Sequence, residues 1–221
     1  MGPCIPRIDT INTSGELRAE NSTKKGAVIA SLQLGALVGA LSCISFGDRL
    51  GRRKTIFLAA IIAIIGQLLQ TSSYGIIQFT LGRVILGIGV GQLSATVPVF
   101  QAECNSAKHR GQHVVVDGIC MTLGFVLCNW IDFGFSKTSG ETQCRVPLAL
   151  SFLFPLTILA TVFLLPESPR WLVLVTRRDE AVHSLAAYKG LRVDDEAVQT
   201  EIASIESSLE ITELFIVRLL I

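Results

Sequence analysis

The chain has 221 residues, half of them hydrophobic and 17% charged, with a mean hydropathy of +0.54. That is too apolar for an ordinary water-soluble domain and fits an integral membrane protein. A formal net charge of +1 gives no reason to expect nucleic acid as a partner, so the placement of the charges matters more than their sum.

Residues 1–25 are polar, with no apolar run and no secretory signal ahead of the first span. A membrane span needs roughly 20 mostly apolar residues. Five stretches qualify: residues 26–46, 55–74, 76–99, 113–135 and 146–165. The second is short and needs Thr71, Ser72, Ser73 and Tyr74 to reach across. The fourth carries Asp117 and is expected to be the weakest by hydropathy. Buried helices of a soluble protein would show an amphipathic period that these segments lack. Gly35 and Gly39 stand four apart in the first span, as Gly87 and Gly91 do in the third, and such small-residue faces let membrane helices approach closely.

The connections carry the charge. Arg49, Arg52, Arg53 and Lys54 follow the first span, Lys108 and Arg110 the third, and Arg170, Arg177 and Arg178 the fifth. Lys and Arg concentrate in cytoplasmic loops, so these three connections are expected inside and residues 1–25 outside. The sequons at Asn12 and Asn21 then fall on the outer side, as do Cys4 and Cys144, between which a disulfide is open. Residues 166–221 change character. A short helix is expected from Asp179 to Lys189, stopped by Gly190, with Asp194 as N-cap of a second helix whose stripe is Val198, Ile202, Ile205 and Leu209. No cysteine and histidine spacing reads as a metal site, and His109 and His113 read as headgroup contacts. No catalytic constellation, phosphate loop or cofactor motif appears. Gly87-Ile88-Gly89-Val90-Gly91 lacks the strand and downstream acid of a dinucleotide site.

Four motifs in order carry a resemblance. Gly47-Asp48-Arg49-Leu50-Gly51-Arg52-Arg53-Lys54 resembles the inner-loop signature of the major facilitator superfamily. Gly82 to Gly91, then Pro98-Val99-Phe100-Gln101-Ala102-Glu103 and Arg110-Gly111, resemble the fourth helix and following loop of its sugar porter family. Pro166-Glu167-Ser168-Pro169-Arg170-Trp171-Leu172 resembles the marker after the sixth helix, and Asn129 to Phe135 looks most like fungal hexose transporters.

The resemblance implies an all-α membrane protein with part of the major facilitator fold. Its five spans would match helices two to six, with the first helix absent and residues 213–221 approaching a seventh. It implies a multi-pass protein of the lipid bilayer, by analogy of the plasma membrane, moving a sugar or polyol-like solute, alone or with a proton, by alternating access. The alternatives are a non-transporting sugar sensor or regulatory partner, and, less well supported, a membrane enzyme. Asp48, Arg52, Arg53, Glu103, Arg110, Glu167 and Arg170 would form an inner-gate charge network. Arg83 would be the proton-coupling candidate, facing an acid on the first helix. The substrate site would include Gly118, where relatives carry a Gln, with Asp117, Met121, Thr122 and Phe125 around it. Ile44, Cys144 and Ser151 also depart from the pattern, where relatives show Gly, Trp and Gln.

Overall fold

The structure is a computed structural model that describes the backbone of residues 16–105, 110–137 and 142–219. The side chains of residues 16–21, 45, 46, 48, 49, 110, 113, 136, 142–145 and 210–219 lie outside the description, as do the sequons, the Cys4 and Cys144 pair and both histidines of the third connection. Among the described residues every regular element is helical. Five helical stretches are long and apolar enough to cross a membrane: Ser22–Ile44, Arg52–Thr71, Ile76–Cys104, Val114–Phe135 and Val146–Leu164.

Helix α1 (Glu16–Leu50) outruns the expected 26–46 at both ends and carries straight through the charged segment. What looked like a loop is a single residue, because α2 (Arg52–Thr71) starts immediately after Gly51. Gly51 has φ +89, a conformation that side chains resist, and a Cβ there would lie 3.1 Å from the Trp171 ring. The chain therefore reverses on one glycine. Helix α2 stops at Thr71, so residues 72–75 make the turn into α3 (Ile76–Cys104) instead of lengthening the second span. That turn is held by Ser72 N–H to Leu68 O at 3.0 Å and Ser73 N–H to Gln70 O at 3.4 Å.

Helix α3 lies between α1 and α2, and glycine makes both contacts possible. A Cβ at Gly35 or Gly39 would run into the carbonyls of Val84 and Ile88 on α3. A Cβ at Gly87 or Gly91 would run into those of Leu32 and Ala36 on α1. The two small-residue faces thus interlock reciprocally, as their spacing leads one to expect. On the other side of α3, Gly82 abuts Gln70 and Gly89 abuts Ala59 and Ala63, so α2 approaches just as closely.

The three-helix core also holds polar side chains. Gln92 Nε2 donates to Ser42 Oγ at 2.8 Å, Ser42 Oγ donates to Gly39 O at 2.6 Å, and Cys43 Sγ lies 3.2 Å from Thr96 Oγ1. Helix α4 (Arg110–Ser136) stands apart by comparison, with none of its described side chains buried.

The fifth span is not one helix. It breaks into α5 (Thr142–Ser151), α6 (Leu153–Thr161) and a 3-10 turn at Val162–Leu164. Pro155 has no N–H to offer Ser151 O, and Phe152 N–H turns to Ala149 O at 3.1 Å. Leu148 O, the acceptor that Phe152 would use in a continuous helix, receives Gln67 Nε2 from α2 at 2.6 Å.

Three helices follow at the α1–α2 connection: α7 (Pro169–Leu174), α8 (Arg178–Lys189) and α9 (Glu196–Leu219). They share an apolar core in which Trp171, Leu172, Leu185, Val198 and Ile202 are buried. Helix α8 ends at Gly190 with φ +64. The cap of α9 falls one residue later than expected, on Asp195, whose carbonyl accepts Val198 N–H at 3.0 Å and Gln199 N–H at 3.2 Å. Ion pairs Arg178–Glu206, at 3.0 Å, and Lys189–Glu201 tie α8 to α9.

Candidate functional site

Two carboxylates organise the end of the bundle where α1 turns into α2. Glu103, in the last turn of α3, faces Arg52 in the first turn of α2. Arg52 Nε donates to Oε2 at 3.2 Å and Nη2 to Oε1 at 3.1 Å, a two-point guanidinium contact between side chains only 14% and 9% exposed. Ser168 Oγ donates to the same Oε2 at 2.7 Å, so one carboxylate joins α2, α3 and the start of α7. Ser168 is fully buried and is also the N-cap of α7, accepting from Trp171 N–H at 3.3 Å with Pro169 at the first helical position.

Glu167 does something different with its charge. Its Oε1 accepts the backbone N–H of Arg53 at 3.0 Å and that of Ser168 at 3.3 Å. Gly51, the N-cap of α2, has no side chain, and the carboxylate supplies the missing acceptor at the positive end of the helix. The Glu167 carbonyl takes the Ser184 hydroxyl at 2.5 Å, and Tyr188 donates to Pro166 O at 3.2 Å, which fastens α8 to the same spot. Burial, reinforced by a hydrogen bond with Cys104, pushes the Tyr188 hydroxyl far above its ordinary range, so it stays a neutral donor.

Of the seven residues expected in the charge network, Arg52, Glu103 and Glu167 are drawn together through Ser168 and the α2 terminus. Arg53 turns its guanidinium over the Phe163 ring, 5.0 Å from the centroid, and pairs with no carboxylate among the described side chains. Arg170 is half-buried and forms no ion pair among the described residues. The side chains of Asp48 and Arg110 lie outside the description. Ser168 and Gly51 were not singled out from sequence. The Ser-Pro pair, an N-cap followed by a first-turn proline, was the available signal.

The expected substrate residues all lie on α4. At 100° per residue Asp117, Met121 and Phe125 fall within one face, flanked by Gly118 and Thr122. Gly118 and Thr122 line a shallow open groove with Val115, Ile119 and Leu123. Thr122 Oγ1 donates to Gly118 O at 2.8 Å, leaving its oxygen lone pairs for an incoming donor. Asp117 is half-buried, whereas Met121 and Phe125 are exposed. Arg83 lies on α3, far along the helix from Glu103. It leans on Phe79, 5.2 Å from the ring centroid, and its buried Nε has no hydrogen-bond partner among the described residues.

The family model described as "Sugar (and other) transporter" matches residues 7–220. The chain belongs to this sugar transporter family. Among its relatives, the sugar transporter STL1 of Saccharomyces cerevisiae is 35% identical over 193 residues, 86% of this chain and 34% of that protein. The high glucose sensor RGT2 of the same yeast is 33% identical over 191 residues, 86% of this chain and 25% of that protein. The sugar transporter family member thus spans about a third or less of the length of these relatives. A structure of the Escherichia coli xylose transporter XylE in a partially occluded, inward-open conformation superposes with a TM-score of 0.83 at 21% identity, over 98% of this chain and 54% of that one. The likeness is one of fold: this family member carries part of the major facilitator fold and is a multi-pass integral membrane protein.

Proposed function

We propose that this chain forms one wall of a carrier that moves a sugar or sugar-like solute across the membrane by alternating access. The observation that carries the reading is the carboxylate knot at one end of the bundle. Glu103 and Glu167 bind Arg52, the α2 terminus and Ser168 with bonds that depend on geometry as well as charge. Contacts of this kind, made in one state and broken or altered in another, set the balance between two conformations by their difference in energy. Asp48, Arg53, Arg110 and Arg170 complete the proposed gate, with part of its contacts supplied in other states of the cycle.

The α4 face is the proposed solute surface. Asp117 accepts from hydroxyl groups, Thr122 offers lone pairs, and Met121 and Phe125 supply apolar contact to a pyranose or polyol face. Gly118, lacking a side chain, leaves room where a glutamine would reach a hydroxyl, which favours a solute bulkier than a hexose or differently substituted. Arg83, with an unused buried donor, is the proposed site of proton linkage. Such a carrier fits the plasma membrane, which is typical of the family.

The test is uptake of labelled hexose, polyol and disaccharide into vesicles by a protein that joins this sequence to the remaining length of a relative such as STL1. Saturable uptake that a proton uncoupler abolishes supports coupled transport, and uptake indifferent to the uncoupler supports facilitated transport. A folded protein that takes up none of the three solutes sinks the transport reading. The 221 residues alone are expected to give no saturable uptake, because the facing bundle of the fold supplies the other half of the solute cavity. The likeness to a glucose sensor supports a second reading, in which solute binding raises thermal stability without any uptake.

A further inference from the structure

We infer that the α1–α2 end of the bundle holds an anionic phospholipid, its phosphate on Arg53 and Lys54 and its acyl chains along the flank of α2. Lys54, Leu58, Ile65 and Leu68 recur at four, seven and three residues, and all four are exposed, so α2 presents an apolar stripe headed by a cation. Arg53 stands beside it. Its guanidinium rests over Phe163, itself 52% exposed, and makes no ion pair with a described carboxylate. The nearby carboxylates among the described side chains are otherwise engaged, Glu103 by Arg52 and Ser168, and Glu167 by backbone N–H groups.

The pairing of chemistries selects the occupant. An exposed apolar stripe on a membrane-crossing helix faces acyl chains, and two cations at its end lie where headgroup phosphates begin. A guanidinium over an aromatic ring spends no N–H on that contact and keeps its planar fork for two phosphate oxygens at once. A zwitterionic lipid brings its own ammonium to the same place and gains less, so selectivity for net negative headgroups follows. This inference rests on membrane insertion and not on transport.

The experiment is native mass spectrometry of the full chain released from detergent with phosphatidylglycerol or phosphatidylcholine added. Phosphatidylglycerol should be retained at collision energies that strip phosphatidylcholine. Each cation contributes about fivefold in affinity, so R53Q/K54Q should lower retention about twenty-five-fold. R53K should keep most of the retention that depends on charge, and it guards against a folding defect in the double variant. Equal retention of the two lipids, or unchanged retention in R53Q/K54Q, would overturn the inference. So would displacement of the bound lipid by millimolar inorganic phosphate, which would show that the cations read a soluble anion.

Discussion

Glu103 holds Arg52 by both oxygens and shares Oε2 with Ser168, so a single α3 side chain fixes the start of α2 and the start of α7. Glu103→Gln preserves shape but removes the negative charge that faces the Arg52 guanidinium in a site with little water. Breaking a buried pair costs about 3–5 kcal/mol, and partial exposure reduces that here to about 2–3 kcal/mol. The loss should appear as a lower midpoint in thermal unfolding of the detergent-solubilised chain. In a double-mutant cycle, R52Q/E103Q should recover at least about 1 kcal/mol of the summed single losses. Strict additivity would mean that the two side chains do not act together.

Glu167 acts through the backbone, and that separates it experimentally from Glu103. Glu167→Gln retains an oxygen for Arg53 N–H and should destabilise by well under 1 kcal/mol. Glu167→Ala removes the only acceptor described for that amide and should behave like a lost N-cap, about 1 kcal/mol. Hydrogen exchange at residues 52–55 reads this directly. Faster exchange there in the alanine variant alone is the expected pattern, and equal effects of the two substitutions would assign the role to charge.

Much of this architecture was legible in the sequence, and the misses have physical causes. Hydropathy located the spans, because burial in lipid imposes length and apolarity on each segment separately. The small-residue spacing of Gly35, Gly39, Gly87 and Gly91 announced close packing before any partner was known. Hydropathy could not show that Asp48 and Arg49 continue a helix, since charge marks exit from the bilayer and not the end of hydrogen bonding. It could not show the break at Phe152 either, because Pro155 lies in an apolar run and only the absent N–H betrays it. The proposed solute face was the least legible part. Asp117, Met121 and Phe125 share a helix face by periodicity, but what opposes that face depends on residues distant in sequence. Arg52 and Ser168, the partners of Glu103, and Arg53, whose N–H Glu167 accepts, likewise lie more than fifty positions away along the chain.

The α1–α3 interlock makes a steep prediction. Gly39→Leu would place a side chain where the Ile88 carbonyl already stands, and backbone cannot yield as a flexible side chain would. Overpacking of this kind costs about 1–3 kcal/mol or more. Because Gly39 meets α3 near the reciprocal contact of Gly91, the variant should also loosen Gln92 from Ser42. The expected outcome is aggregation or early elution in size-exclusion chromatography. Gly118→Leu, at an α4 position with open space around it, should elute as the parent does.

Gln67 offers a test of the broken fifth span. Its amide satisfies the Leu148 carbonyl that the break releases, and in an apolar surrounding an unpaired carbonyl costs about 1–3 kcal/mol. Gln67→Met keeps length and apolar bulk but removes the donor. Hydrogen exchange in residues 146–154 should rise while α1 and α3 stay protected. A uniform rise across all spans would show that Gln67 supports general packing instead.

Thr176 carries the opposite kind of prediction, a gain. It follows α7 with φ 59, and the surrounding bonds form a complete helix stop: Thr176 N–H to Val173 O at 2.9 Å and Arg177 N–H to Leu172 O at 2.9 Å. A β-branched residue in this left-handed conformation is strained by roughly 1–2 kcal/mol, whereas glycine adopts it freely. Glycine also loses more chain entropy on folding, which offsets part of the relief, so Thr176→Gly should stabilise by about 1 kcal/mol. Thr176 is exposed and, among the described residues, its hydroxyl bonds only to the neighbouring Val175 carbonyl, so little packing is forfeited. A higher unfolding midpoint with unchanged helicity is the expected result. A lower midpoint would mean that the threonine side chain, and not the left-handed turn, holds α7 against α8.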